Sequence, residues 1–105
     1  MNDPIVQRFL DRCVLLGDKI KAVYLFGSRA KGTARPDSDY DMLLVVSQAF
    51  SLDNKDMLYD AVMDLLLDTG RLVSLKVFRE PAFQRLCGLG TPFMNHVLRE
   101  GIKVG

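Results

Sequence analysis

The chain is poor in several residues that mark specialised classes of protein. It has no tryptophan, one histidine and two cysteines among 105 residues. Two cysteines are too few for a disulfide scaffold or a four-ligand zinc site. Cys13 and Cys87 both lie among apolar neighbours, so we interpret them as reduced core thiols. The net charge is only +1, whereas electrostatic capture of nucleic acid usually needs a clearly basic domain, so nucleic-acid binding is not expected.

Long apolar runs are also missing. No run approaches the roughly 18–20 residues that a membrane-spanning helix needs. Residues 1–4 show no basic start before an apolar stretch, as a signal peptide would. We therefore expect a cytoplasmic protein without a membrane segment. The composition is that of an ordinary globular protein, 49% hydrophobic and 26% charged, and the length predicts a single domain over residues 1–105.

The apolar pattern predicts a small sheet with helices packed on it. Strands are predicted at three runs rich in branched and aromatic residues and at a short end segment: 21–26, 40–46, 72–78 and 102–104. Apolar residues at helical spacing predict four helices, whose caps or first residues are Asn2 or Asp3, Ser51 or Asp53, Glu80 and Thr91. The link between the first two strands is turn-rich, so we expect these strands to be neighbours. The expected fold class is α/β in the broad sense (α+β), with helices packed on a small mixed β-sheet.

The stretch between the first two strands carries the chemistry. Gly27 ends a strand where the chain must turn sharply, and glycine lets a ligand approach the backbone closely. Ser28 supplies a hydroxyl and starts a turn whose outward N–H groups attract phosphate. Asp39 and Asp41 fall on one face of an extended strand, where they can converge on Mg²⁺. An Asp-Ser-Asp segment is also common in turns, but the upstream Gly-Ser pair favours a nucleoside-triphosphate site.

The loop after Ser28 is basic. Arg29, Lys31 and Arg35 place three positive charges beside the predicted phosphate site. We expect Arg29 and Lys31 to contact phosphate, although a merely solvated loop would have the same composition. Tyr40 should point away from the two aspartates and into the core, and the position of His96 predicts an exposed surface histidine.

The pattern G-S-x10-D-x-D, over residues 27–41 and with a strand on each side, resembles the minimal nucleotidyltransferases of the DNA polymerase β superfamily, including MntA-type antitoxins. The resemblance is specific over residues 24–46. Residues 95–102, which contain Glu100-Gly101, are similar to the closing helix of many such domains.

The resemblance implies a polymerase-β-like nucleotidyltransferase core that uses ATP as a substrate. Gly27 and Ser28 would hold the triphosphate, while Asp39 and Asp41 would bind Mg²⁺, two ions in a fully active site. A nucleoside monophosphate, AMP from ATP, would move to a hydroxyl of a protein or another acceptor, with release of pyrophosphate. The likeness to antitoxins further implies a HEPN-type toxin as protein partner, with one of its tyrosines as the acceptor.

One segment departs from the pattern of this family. Active members carry a third carboxylate on the next core strand, but residues 72–78 contain no Asp or Glu. Ser74 is the predicted matching position, with Lys76 on the same face, and serine is a poor base. We therefore interpret this position as degenerate and expect one Mg²⁺ if the third carboxylate is truly absent. Asp68 and Glu80 flank the strand, and one of them could substitute.

Two functions from different classes follow. The first is a metal-dependent nucleotidyltransferase, and the second is a catalytically degenerate module that acts by binding a partner protein. A polymerase or repair domain is disfavoured because the chain has no strongly basic balance and no tryptophan for base stacking. The acceptor, the preferred base and the formation of a homodimer stay open.

Overall fold

The computed structural model describes residues 3–32, 35 and 38–105. The alternative cap Asn2 lies outside the described residues. The elements in chain order are α1 (Pro4–Val14), a 3₁₀ turn (Gly17–Lys19), β1 (Ile20–Phe26), α2 (Ser28–Lys31), β2 (Tyr40–Val46), α3 (Leu52–Thr69), β3 (Val73–Arg79), α4 (Glu80–Leu89), α5 (Pro92–Glu100) and β4 (Ile102–Lys103). The predicted strands and helices all appear, with boundaries that differ by one or two residues.

The described strands form one four-stranded sheet in the order β3-β2-β1-β4. Strand β1 pairs antiparallel with β2 and with β4, whereas β2 pairs parallel with β3. The predicted mixed sheet is therefore confirmed. The parallel pair is connected through α3, because a parallel connection must carry the chain back across the sheet.

Helices cover both faces of the sheet. Strand residues alternate between the two faces, so each strand contributes to two separate apolar layers. Val23, Leu25, Met42 and Leu44 pack on the layer formed with α1 and α3. Ala22, Phe26, Leu43 and Val45 pack on the layer formed with α4 and α5. Because Asp41 follows the same alternation as Leu43 and Val45, its side chain lies on the α5 face.

The helix termini explain why these segments fold as they do. The Asp3 carboxylate accepts a hydrogen bond from the Ile5 backbone N–H at 2.8 Å and another from the Tyr40 hydroxyl at 2.6 Å. This joins the start of α1 to the start of β2. Ser51 and Asn54 form a capping box at the start of α3, and Gly70 ends that helix in the left-handed conformation.

The two cysteines lie on opposite sides of the sheet. Cys13 is buried in the α1–α3 layer, and Cys87 is half-buried against the α4–α5 layer. Both are free thiols, because the sheet between them keeps them from pairing. Burial raises the pKa of the Cys13 thiol to about 12, which keeps it protonated and unreactive.

None of the helices in the described part of the chain combines the length and hydropathy that crossing a bilayer requires.

Candidate active site

The end of β1 and the starts of β2 and β3 meet at one end of the sheet, which we call the site edge. Gly27 follows β1 there with φ +74° and ψ −156°, a backbone conformation that is essentially restricted to glycine. A Cβ atom at this position would lie 2.6 Å from the Asp41 Oδ2 atom. Glycine therefore allows the carboxylate of β2 to lie directly against the turn that follows β1.

Ser28 begins the one-turn helix α2 immediately after this contact. The Gly27 carbonyl accepts hydrogen bonds from the Ala30 and Lys31 backbone N–H groups at 3.1 and 3.3 Å. Gly32 then ends the helix in the left-handed conformation. Ser28 thus directly follows the glycine that lies against the Asp41 carboxylate, and its contact with phosphate stays a prediction.

The two aspartates differ in exposure. Asp41 is half-buried on the α5 face, and Asp39 is exposed immediately before β2. Burial is the largest cause that raises the pKa of Asp41, and the neighbouring Asp39 carboxylate raises it further. The two carboxylates are thus close enough to repel each other, and a divalent cation between them would relieve that repulsion.

Strand β3 brings a serine and a lysine to the same place. In the parallel register Asp41 is the partner of Ser74, and neighbouring strands lie about 4.8 Å apart. Lys76 is two residues further along the same face, and its ammonium group acts in the direction that lowers the pKa of Asp41. Among the residues that the structure describes, no group of three or more His, Cys, Asp or Glu side chains could hold a metal ion.

The two acidic residues that flank β3 do not supply the missing carboxylate. Asp68 lies on α3 and binds the Arg8 guanidinium of α1 at 2.8 Å, in the layer beneath the other face of the sheet. Glu80 follows the far end of β3, about 20 Å from Ser74 at the usual rise of an extended strand. The suggestion that one of them substitutes is therefore wrong, because neither reaches Asp41.

The structure separates the two basic residues that the sequence assigns to phosphate. The Arg29 guanidinium lies 4.2 Å above the Tyr40 ring and donates a hydrogen bond to the Ser38 carbonyl at 2.9 Å. Since Tyr40 is buried on the α1 face, as expected, Arg29 lies on the opposite side of the sheet from Asp41. These contacts connect the loop to β2, and a phosphate contact of Arg29 stays a prediction.

Lys31 extends toward α5 instead. Its Nζ atom lies 2.9 Å from a Glu100 carboxylate oxygen, and His96 Nδ1 lies 3.0 Å from that same oxygen. The hydrogen bond from Lys31 is the largest cause that lowers the pKa of Glu100. His96 is exposed as predicted. The sequence did not predict this connection between α2 and α5, although the spacing that places His96 and Glu100 on one side of a helix is visible in it.

The site edge therefore contains Gly27, Ser28, Asp39, Asp41 and Ser74. The polymerase beta nucleotidyltransferase family model matches residues 14–104, a range that includes all of them. This chain belongs to that family. No curated protein sequence gives a significant match.

Solved structures show the same fold at low sequence identity. A candidate nucleotidyltransferase from Sulfolobus solfataricus is 19% identical with a TM-score of 0.60, and the match covers 94% of this chain and 75% of that chain. A toxin-antitoxin structure with AMP-PNP is 21% identical with a TM-score of 0.58, covering 98% and 72%. A toxin-antitoxin MntA-HpeT mutant with two Asp-to-Glu changes is 19% identical with a TM-score of 0.56, covering 93% and 70%.

Proposed function

We propose that this protein is a metal-dependent nucleotidyltransferase that moves AMP from ATP to a hydroxyl of a protein acceptor in the cytoplasm. The observation that carries the proposal is the contact between Gly27 and the Asp41 carboxylate. It packs the turn that would hold the triphosphate against the carboxylates that would hold the metal. Triphosphate and metal must meet in one place for displacement at phosphorus, and this site edge supplies both sets of groups.

The residues present fit one Mg²⁺ ion. Mg²⁺ usually binds one or two carboxylates together with substrate phosphate oxygens and water, and Asp39 and Asp41 supply two carboxylates. A divalent cation would stabilise the ionised Asp41 carboxylate, whose pKa is raised first by burial and then by the neighbouring Asp39 carboxylate. When bound, the ion would supply positive charge next to the phosphate oxygens. The described residues offer no third carboxylate for a second ion.

The remaining roles fall to groups of the chain itself. Gly27 would let the triphosphate approach the backbone, and the Ser28 hydroxyl would donate a hydrogen bond to a phosphate oxygen. An acceptor oxygen would form a bond to the α-phosphorus while the bond to the bridging oxygen breaks and pyrophosphate leaves. The acceptor proton would pass to one of the two carboxylates of the site edge, Asp39 or Asp41.

A second candidate is a nucleotidyltransferase-fold module that binds a partner without turnover. It is favoured by the pairing of Ser74, rather than a carboxylate, with Asp41. Lys76 adds to this argument, because its positive charge acts on Asp41 and would oppose a metal ion there. Under this second function the site would bind nucleotide weakly, and masking of a partner would be the activity.

Under either function we propose a HEPN-type toxin as the protein partner. Two of the three solved structures described above are toxin-antitoxin structures. The outer face of α3 carries large apolar side chains that are 45–80% exposed: Leu52, Tyr59, Met63 and Leu67. The exposed Asp56 and Asp60 lie beside them. An exposed apolar stripe marks contact surfaces, and its acidic flank suits a partner whose own apolar patch is surrounded by lysine and arginine.

The first experiment measures ATP binding by calorimetry with and without Mg²⁺, because this needs no acceptor. It compares the wild type with Asp39→Ala/Asp41→Ala and with Asp56→Ala/Asp60→Ala, a matched control on α3. Binding that requires Mg²⁺ and is lost only in the first variant supports the site. A folded wild type that binds no triphosphate contradicts the nucleotidyltransferase proposal and leaves the partner-binding module.

The second experiment separates turnover from masking. The protein is incubated with a HEPN-type toxin and ATP labelled at the α-phosphate. Label on a toxin tyrosine that disappears with Asp41→Ala supports transfer. A stable complex that carries no label supports the second candidate.

A further inference from the structure

Helix α5 lies along the site edge and contacts it at two points. At its start, the Phe93 ring lies 5.6 Å from the Phe26 ring, centroid to centroid, at an interplanar angle of 89°. At its end, Glu100 binds Lys31 of α2 at 2.9 Å. The face of α5 that carries Phe93 and Glu100 therefore borders the site next to β1.

Phe26 connects Phe93 to the carboxylates. It is the last residue of β1, and in the antiparallel register its partner on β2 is Asp41. The Cβ atoms of such partners are about 5 Å apart on the same face. Phe26 thus lies between Phe93 and Asp41, and the ribose of a bound nucleotide would extend past it.

Phe93 is exposed where its neighbours are buried. Its side chain is 40% exposed, whereas Phe26, Met94 and Val97 are at most 9% exposed. Met94 and Val97 are buried between α5 and the sheet, so the packing of this helix does not depend on Phe93 alone. An aromatic ring that stays partly exposed beside a phosphate and metal site offers a flat surface to a planar ligand.

We propose that the exposed ring of Phe93 is the stacking surface for the nucleobase of the bound triphosphate. The inference rests on the proposed function, because it assigns the base to the same site. Stacking of a base on an aromatic side chain contributes substantially to affinity and tolerates different bases. Phe93 thus makes a nucleoside triphosphate bind more tightly than a phosphate chain without a base, while the site edge binds the triphosphate.

The test compares Mg²⁺-ATP with Mg²⁺-tripolyphosphate by calorimetry. In the wild type, ATP should bind more tightly than tripolyphosphate. Phe93→Ala and Phe93→Leu should weaken ATP binding about tenfold and leave tripolyphosphate binding unchanged. Phe93→Leu keeps an apolar contact with Phe26, so it separates loss of stacking from loss of packing. Leu98→Ala is the matched control, since Leu98 is 47% exposed on another side of the same helix.

Each other outcome overturns the inference in a recognisable way. Equal wild-type affinities for the two ligands show that the base is not bound, while the triphosphate site of the proposed function stands. Unchanged ATP affinity in both Phe93 variants has the same meaning. Equal weakening of both ligands assigns Phe93 to packing alone. A wild type that binds neither ligand overturns this inference together with the proposed function.

Discussion

Strands β2 and β3 lie side by side in parallel, yet their ends at the site edge carry different chemistry. The β2 end has Asp39 and Asp41, and the β3 end has Ser74 and Lys76. On the other face both strands bury branched or long apolar side chains in the same layer. The fold depends on that buried face, whereas the charge of the candidate site depends on exposed or half-buried positions. A strand can therefore keep its place in the sheet with or without a carboxylate at this end.

The largest expected effect concerns the β2 side of this comparison. Gly27→Ala places a Cβ 2.6 Å from Asp41 Oδ2 and forces a glycine-only conformation. We expect a loss of about 3 kcal/mol in the free energy of unfolding. Chemical denaturation measures it, with Gly32→Ala as the control, because a Cβ at Gly32 meets nothing within 4 Å.

A double mutant sharpens this prediction. Asp41→Ala removes the carboxylate that the new Cβ would strike, so Gly27→Ala should cost less in the Asp41→Ala background. The part of the cost that comes from the positive φ should remain. Equal costs in both backgrounds would show that the contact between Gly27 and Asp41 does not determine the residue at position 27.

The second largest effect is expected from a substitution that gives the β3 end a carboxylate, as the β2 end has. Ser74→Asp adds a carboxylate at the register partner of Asp41. We expect Mg²⁺ to bind about tenfold more tightly, since coordination of this ion improves with a further carboxylate oxygen. Calorimetry with Ser74→Asn as the uncharged control measures this. If Ser74→Asp changes neither metal affinity nor AMP transfer, Ser74 is not the position of the third carboxylate.

A smaller effect is expected at Lys76. Lys76→Met removes a positive charge that lies near Asp41, so Mg²⁺ affinity should rise about two- to threefold at low salt. Lys76→Arg keeps the charge and serves as the control. An increase that persists unchanged in 0.5 M salt would point to packing rather than to charge, because salt screens exposed charges.

The smallest expected effect is on how the stability of the fold depends on pH. The folded chain raises the pKa of Asp41, so the native state binds its proton more tightly than the unfolded chain does. The ionised carboxylate therefore costs stability above this raised pKa, and the cost vanishes below the ordinary value of 3.8. Asp41→Asn should raise Tm by about 1–3 °C at pH 7 without metal.

This gain should shrink as the pH falls toward 3.8, and added Mg²⁺ should reverse it by stabilising the wild type alone. Thermal unfolding from pH 7 to 3.5 measures the difference between the two proteins. A gain that stays constant over this range would mean that Asp41 ionisation is not its source.

The sequence by itself determined the local elements of this protein. Runs rich in branched and aromatic residues predicted the strands, and apolar residues at helical spacing predicted the helices. Asp3 and Ser51 were among the predicted helix caps, because capping depends on residues a few positions apart. The Gly27-Ser28 and Asp39-x-Asp41 pattern likewise located the candidate site. The one departure, the absence of a carboxylate between residues 72 and 78, was also visible in the sequence.

Only the tertiary structure decided which distant groups meet. The parallel register pairs Asp41 with Ser74, and Arg29 lies over Tyr40 on the opposite face. Glu100 of α5 forms an ion pair with Lys31 of α2. The route of the chain through α3 sets that register, and the packing of α5 sets which helix side borders the site. Such contacts join residues 11 to 69 positions apart, so they depend on how whole layers pack, which local spacing does not encode.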